Sequence, residues 1–284
     1  MVFLFYCESL TMTDYSRVFL TVDCSDCEAE ILCPRSQIDF MEGLVRFIPG
    51  SIFANSLVYS TPCGNTGWTS LCAGTDGQFT YHHWDAAKPS LLQLDLACVG
   101  SLDLCQVIEV ISQRWCATGM RVLKFDAIAA VAGQLPTVFC DNLLRRSGPG
   151  DGLGPGRHLH LLVDYRTAGC REPLSRATLD AALVELVGLL GMVGMTPALS
   201  AIEPTRDGSR YDGVIGITTS HILLRVYQST GVDLIRLEVF SCKEFSPDIV
   251  RSWLACHFGQ AAEAYPVLID RHPNHTVSAI DWVI

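Results

Sequence analysis

The stretch IGITTSHILLRVY (residues 215–227) holds a Ser-His pair, Ser220-His221, between two short apolar segments. Such segments, bounded by polar residues, are typical of neighbouring β-strands. A further strand-like stretch, LEVFSCKEF (237–245), carries Cys242. A serine behind one short strand, a histidine beside it and a cysteine on the next strand form an arrangement that can cleave its own backbone. The sequence therefore indicates chemistry at residue 220.

The elements around this stretch occur twice along the chain. FLTVDCSDCEAEILC (19–33) matches HLLVDYRTAGC (160–170), and GWTSLCAGTDGQFTYHHW (67–84) matches the Ser-His segment. LLQLDLACVGSLDLCQVIEVISQRW (91–115) then matches the segment around Cys242. Asp23 and Cys98 are 75 positions apart, and Asp164 and Cys242 are 78 apart. Similar spacing between matched positions indicates two copies of one unit.

Each copy is predicted to contain a strand, a helix, two or three strands, a second helix and a strand. The helix at 175–195 has Ser175 or Thr178 as its N-cap, and the helix after Cys242 begins at Ser246 or Pro247. The predicted fold class is α+β, with two repeated units, each a β-sheet with helices packed on one face, forming a pseudo-dimer. Residues 14–125 form the first repeat and residues 157–284 the second. Residues 126–156 connect them; 126–146 are predicted to hold a helix, and SGPGDGLGPG (147–156) is a flexible linker.

Composition restricts the function classes. The 284 residues are 49% hydrophobic and 18% charged, enough for one large or two small domains. A net charge of −10 argues against nucleic acid and is compatible with a cationic small ligand. No apolar run reaches the length of a membrane span. Thirteen cysteines without an export signal predict reduced thiols and a cytoplasmic location. Cys24, Cys27 and Cys33, with Cys63 the nearest fourth ligand, do not complete a zinc pattern, so no metal is predicted.

From about residue 157 to 271 the chain resembles the prokaryotic S-adenosylmethionine decarboxylase proenzymes. GRHLHLLVDYRTAGC (156–170) resembles that family's opening strand GRHLLVDLYGC, and 175–195 resembles its helix and glycine turn. TSHILLRVYQS (219–229) and EVFSCKE (238–244) are similar to its ESHxxxHTxPE and DxFTCG signatures. The order and spacing of the four pieces agree. The resemblance implies that family's sandwich fold and a pyruvoyl cofactor derived from Ser220.

The catalytic match to the family is partial. Ser220, His221 and Cys242 are present, but Thr219 replaces the family glutamate and Arg225 its second histidine. Three interpretations stay open: Arg225 holds a substrate carboxylate, a histidine of the first copy fills the gap, or self-processing has been lost. In the first copy, Gly77 aligns near the serine, so no pyruvoyl can form there.

The resemblance implies a role for each candidate site residue. Cleavage between Thr219 and Ser220 would convert Ser220 to the pyruvoyl group, His221 would move protons and Cys242 would return a proton to the substrate carbon. The candidate substrate-binding residues are Arg225, Tyr227, Phe240, Glu238, His82 and Trp84. The aromatic residues among them could stack on an adenine ring, although aromatic residues in strands more often belong to the core.

The predicted function is therefore pyruvoyl-dependent decarboxylation, with S-adenosylmethionine, in polyamine synthesis, as the leading substrate. The partner is a small amine or sulfonium amino acid, and the sequence leaves open whether the chain is a monomer or a homo-oligomer. One alternative is a decarboxylase of ornithine or arginine. The other is an unprocessed homologue that binds a ligand or regulates a partner decarboxylase.

Overall fold

A computed structural model describes most of the chain, with short gaps. The described residues are 17–25, 34–47, 50–60, 67–84, 91–99, 103–114, 119–126, 138–145, 159–168, 175–205, 208–218, 220–229, 233–270, 276–279 and 282. Within these ranges, no helix combines the length and the apolar content that a membrane span needs.

The first half contains one antiparallel sheet and two helices. Its elements are β1 (Arg17–Ser25), α1 (Pro34–Val45), β2 (Ile52–Ser60), β3 (Gly67–Gly74), β4 (Gly77–Trp84), β5 (Leu91–Val99), α2 (Leu104–Arg114), β6 (Gly119–Asp126) and β7 (Val138–Arg145). The strand order in the sheet is β2-β3-β4-β5-β1-β6-β7.

The second half has the same succession of strands and helices. Its elements are β8 (Leu159–Thr167), α3 (Arg176–Leu189), β9 (Leu199–Thr205), β10 (Gly208–Ile217), β11 (Ser220–Ser229), β12 (Asp233–Ser241), α4 (Pro247–Phe258), β13 (Ala261–Asp270) and β14 (Thr276–Ala279). Its sheet has the order β14-β13-β8-β12-β11-β10-β9. Read from the other edge, this is the order of the first sheet, with β8 to β14 in the places of β1 to β7.

Local sequence explains the helices of the second half. The Ser175 hydroxyl accepts a hydrogen bond from the Thr178 amide and begins α3, so the predicted N-cap is confirmed at Ser175. Ser246 caps α4 in the same way, with Pro247 in the first turn, where its missing N–H costs nothing. Both helices bury one apolar face, which includes Leu183 and Trp253.

Each sheet carries its helices on one face. In the second half, alternate residues of β8, β11 and β12, such as Leu161, Ile222 and Val239, pack with α3 and α4 in one apolar cluster. In the first half, α1 and α2 pack on β3, β4 and β5 in the same manner. The opposite faces contain a smaller mixed cluster, in which Leu71 of β3 packs with Leu223 of β11. The chain is thus α+β with two antiparallel sheets, an arrangement compatible with a sandwich.

Two local predictions differ from the structure. Residues 126–146 were expected to hold a helix; within that segment Val138–Arg145 is strand β7, hydrogen-bonded to β6 of the first sheet, and residues 127–137 lie outside the described residues. The apolar residues there follow no clear helical period, and pairing with β6 determines their conformation. Among the residues that the structure describes, each half also has four strands between two helices and two strands after the second helix, more than expected.

Candidate functional site

Ser220 and Cys242 lie side by side where two neighbouring strands end. Ile217 at the end of β10 pairs with Ser220 at the start of β11. Cys242 follows the last residue of β12, the strand next to β11. The Cys242 amide donates to Ser220 Oγ at 3.1 Å, and that oxygen lies 3.7 Å from Cys242 Sγ. The sequence predicted both residues for one site; Thr219 lies outside the described residues.

His221 does not share the surroundings of Ser220. Successive residues of a strand point to opposite faces, so Ser220 shares a face with Ile222 while His221 points toward the first sheet. There His221 Nε2 lies 3.1 Å from Glu238 Oε1, and the ring is fully buried. The resemblance implied an imidazole beside the serine hydroxyl, and the pleat of β11 separates the two side chains.

Glu238 accepts three hydrogen bonds in the space between the sheets. Its Oε1 accepts from His160 Nε2 at 2.9 Å and from His221, and its Oε2 accepts from Gln78 Nε2 at 2.7 Å. Glu238 is 2% exposed. Both carboxylate oxygens are hydrogen-bonded and buried. Glu238 therefore exposes no group that could bind a substrate, contrary to the predicted role. We call Gln78, His160, His221 and Glu238 the inter-sheet cluster.

The inter-sheet cluster keeps Glu238 ionised. Burial by itself raises the pKa of the Glu238 carboxyl, because a low-dielectric surrounding disfavours charge. The hydrogen bonds from His160 and His221 and the electrostatic interaction with these residues outweigh burial, and the pKa of the Glu238 carboxyl lies well below its ordinary value. The cluster is therefore a charged group held inside the protein.

Aromatic rings enclose this cluster. His82 of β4 stacks on His221, with 6.0 Å between ring centroids and 13° between planes, and its Nδ1 lies 3.0 Å from Thr69 Oγ1. Phe240, fully buried, lies 5.4 to 5.7 Å from the rings of His82, His160 and His221. A histidine of the first half thus reaches the second half, which was one of the interpretations left open, but it contacts His221. The Phe240 ring is enclosed by histidines, so it offers no open face to an adenine.

Arg225 links the two sheets. It is fully buried, its Nε lies 2.6 Å from Asp212 Oδ1, and its Nη2 donates to the Gly74 carbonyl of the first half at 2.9 Å. Arg210 Nε lies 2.9 Å from the other oxygen of Asp212. One open interpretation, a bidentate contact with a substrate carboxylate, does not agree with this position, because Asp212 and the Gly74 carbonyl contact the guanidinium and the side chain is fully buried.

The remaining predicted positions are scattered. Tyr227 is half-buried on β11, with its ring 5.9 Å from the Arg236 guanidinium carbon. Trp84 ends β4 at the register position opposite Gly67. Cys27, Cys33 and Cys63, considered as zinc ligands, lie outside the described residues.

Sequence reasoning missed two residues of the inter-sheet cluster, His160 and Gln78. The strand register indicates that His160 lies near His221. Strand β12 lies between β8 and β11, and its Phe240 pairs with both His160 and His221. Three residues on one face of adjacent strands must be neighbours. Gln78 is 160 positions from Glu238, and no local pattern joins them.

The depressed pKa of Glu238 predicts acid sensitivity. A carboxyl whose folded pKa is lowered adds stability above its unfolded pKa, near 4.5, and this contribution disappears as the pH falls through the folded value. We expect wild type to exceed Glu238→Gln in unfolding free energy by a constant amount above about pH 5, and by less at each lower pH. Urea titrations of both proteins between pH 7 and pH 3 measure this difference. A difference that does not change with pH would show that the ionised form has no such role.

Comparison with known proteins adds little to these observations. The chain matches no family model and no curated protein. Among solved structures, one described as an unknown protein from Galdieria sulphuraria aligns over 94% of this chain and 99% of its own, at 9% identity and a TM-score of 0.20. A likeness of that size carries no argument, so the function rests on the chain's own residues.

Proposed function

We propose that this protein is a pyruvoyl-dependent decarboxylase, similar to the S-adenosylmethionine decarboxylases, that activates itself by cleavage between Thr219 and Ser220. The observation that carries the proposal is the contact of Ser220 Oγ with Cys242, at 3.1 Å from its amide and 3.7 Å from its sulfur. The order of the four sequence motifs supports the same family. The reaction would take place in the cytoplasm, where the thiol stays reduced.

Self-cleavage uses the serine hydroxyl, the peptide bond before it, a base that takes the Ser220 α-proton, and one water. The Ser220 hydroxyl attacks the carbonyl carbon of Thr219, and the amide becomes an ester. Elimination releases Thr219 as a carboxylate and leaves dehydroalanine at residue 220. Hydrolysis then consumes one water, releases ammonia and leaves a pyruvoyl group at the new amino terminus. The Cys242 amide, which donates to Ser220 Oγ, holds the hydroxyl in a defined position.

The residues present fit a pyruvoyl group at position 220, because a thiol and an amide donor already converge on the serine oxygen. The group supplies an electron sink for the loss of carbon dioxide, as pyridoxal phosphate does in other enzymes. Cys242 would then return a proton to the substrate carbon, because its thiol lies beside residue 220. S-adenosylmethionine is the leading substrate, and ornithine and arginine are the alternatives.

We also propose that the two halves are diverged copies of one unit, packed as a pseudo-dimer in the sandwich typical of this family. The matching strand order of the two sheets supports the proposal. The first copy, with Gly77 near the serine position, supplies structural partners to the second. Gln78 donates to Glu238, and the Gly74 carbonyl accepts from Arg225.

Intact mass tests the proposal directly. Cleavage divides the 31.1 kDa chain into pieces of 219 and 65 residues, the smaller about 7 kDa and blocked by a carbonyl-bearing residue. We expect the smaller piece to react with phenylhydrazine and borohydride. A single chain of full mass that is inert to both reagents would contradict the proposal. Release of carbon dioxide from labelled S-adenosylmethionine, ornithine and arginine then identifies the substrate.

An unprocessed binding homologue is the second candidate. The contacts of Arg225 favour it, because this residue stands where the family has its second histidine and is held by Asp212 and Gly74. An arginine cannot act as a base, since it stays protonated. Full-length mass together with saturable binding of S-adenosylmethionine, without turnover, would establish this function.

A further inference from the structure

A serine side chain closes a turn around Cys242. Ser241 is the last residue of β12 and is 2% exposed. Its hydroxyl donates to the Lys243 carbonyl at 2.8 Å and accepts from the Lys243 amide at 2.9 Å. A serine hydroxyl that binds the backbone two residues further on offers the chain a turn in place of strand pairing. The chain therefore leaves the sheet at Cys242, and we call residues 241–243 the serine turn.

The serine turn directs Cys242 at Ser220. His221 pairs with Phe240, so Ser220, where β11 begins, and Ser241, where β12 ends, lie opposite each other one position further along. Just past this point the Cys242 amide donates to Ser220 Oγ at 3.1 Å, and Cys242 Sγ lies 3.7 Å from the same oxygen. The amide of Cys242 thus binds a side chain of the neighbouring strand, where a regular ladder would supply a carbonyl.

The two sides of the serine turn are fixed to different parts of the second half. Ser241 pairs with Leu159 of β8, and Lys243 Nζ donates to the Gly191 carbonyl, just after α3, at 2.9 Å. The Ser241 hydroxyl joins the residues on either side of Cys242. The orientation of the Cys242 amide and thiol therefore depends on this hydroxyl.

Orientation at this pair affects the rate of any reaction of Ser220. The Ser220 hydroxyl must approach the carbonyl carbon before it at a defined angle, and the Cys242 amide holds that hydroxyl. A displacement of about 1 Å can lower a rate about a hundredfold. A residue that controls the position of the Cys242 amide can therefore control the reactivity of Ser220 from outside the reacting atoms.

We propose that Ser241 is a positioning residue, whose hydroxyl holds the Cys242 amide and thiol against Ser220 Oγ. The proposal rests on the proposed function for the reaction that this contact serves, which is self-cleavage. Ser241 forms and breaks no covalent bond in it. Without the Ser241 hydroxyl, residues 242 and 243 are free to turn away from β11, and Ser220 loses its amide donor.

The test is the rate of self-cleavage of the newly synthesised full chain, followed by pulse labelling as 31.1 kDa divides into pieces of 219 and 65 residues. We expect Ser241→Ala to slow cleavage by about 10- to 100-fold. Ser241→Thr keeps the hydroxyl and should cleave at close to the wild-type rate. Ser241→Val has a similar shape without the hydroxyl and should be as slow as Ser241→Ala. The threonine and valine variants decide the matter if Ser241→Ala does not fold.

Ser246→Ala is the matched control. The Ser246 hydroxyl also accepts from an amide two residues further on, that of Asp248 at 3.3 Å, but it begins α4 and does not enclose Cys242. Ser246→Ala should lower the stability to urea, as loss of an N-cap does, and leave the cleavage rate unchanged. Equal rates in wild type and Ser241→Ala, or equal slowing by Ser241→Ala and Ser246→Ala, would overturn the role of Ser241.

A wild-type chain that stays uncut would contradict the proposed function, and a second measurement then tests Ser241. The uncut chain keeps the Ser220 hydroxyl, which donates to Cys242 Sγ and so favours the thiolate. The pH profile of Cys242 alkylation by iodoacetamide, measured by peptide mass spectrometry, should therefore move to higher pH in Ser241→Ala and in Ser220→Ala. Combining the two substitutions should move it no further than Ser220→Ala alone. An unmoved profile in Ser241→Ala, or additive shifts, would show that Ser241 does not act through this contact.

Discussion

Ser220→Ala is expected to leave the chain in one piece of 31.1 kDa and to remove the proposed decarboxylase activity. The variant lacks the Ser220 hydroxyl that is proposed to attack the Thr219 carbonyl carbon. Neither the ester nor the pyruvoyl group can then form. Loss of a covalent catalytic group lowers turnover by about 10⁴-fold or more. Intact mass and carbon dioxide release measure the two effects on one preparation.

Ser252→Ala is the matched control for this variant. Ser252 is exposed on α4, and its hydroxyl donates only to the Asp248 carbonyl of its own helix. This control should cleave and turn over as wild type does. Undiminished turnover by Ser220→Ala would remove the pyruvoyl mechanism altogether, whereas an uncut and inactive wild type would favour the binding homologue.

Glu238→Ala is expected to lower the free energy of unfolding by about 3 to 5 kcal/mol. The substitution removes the acceptor for Gln78, His160 and His221, and all four residues are buried. Each buried donor left without an acceptor costs about 1 to 3 kcal/mol. Because Gln78 belongs to the first half and Glu238 to the second, the loss should weaken the packing of the sheets. Urea unfolding near neutral pH measures the change.

Two variants separate this effect from loss of a surface carboxylate. Glu263→Ala removes a half-exposed carboxylate that faces Arg166 at 3.4 Å, and it should change stability by less than about 1 kcal/mol. Glu238→Gln keeps an acceptor oxygen and loses the charge, so its cost should lie between the other two. If Glu238→Ala is as stable as Glu263→Ala, the inter-sheet cluster does not hold the halves together.

Local features of the fold could be predicted because they depend on neighbouring residues. Ser175 and Ser246 cap their helices through amides two or three positions away. Ser220 and Cys242 could be placed in one site because they lie on the neighbouring strand segments of β11 and β12. Strand β7 escaped prediction because pairing with β6 decides its conformation.

The amino-acid sequence by itself determined the helix caps and the proximity of Ser220 to Cys242, since each follows from residues close together along the chain or on neighbouring strands. Only the tertiary structure decided that His221 faces away from Ser220, that Glu238 anchors His160, His221 and Gln78, and that Arg225 is held by Asp212. The physical reason is that stacking two sheets brings together residues as far apart as Gln78 and Glu238, 160 positions in sequence, and buries their charge. No local pattern encodes which side chains will meet across that interface.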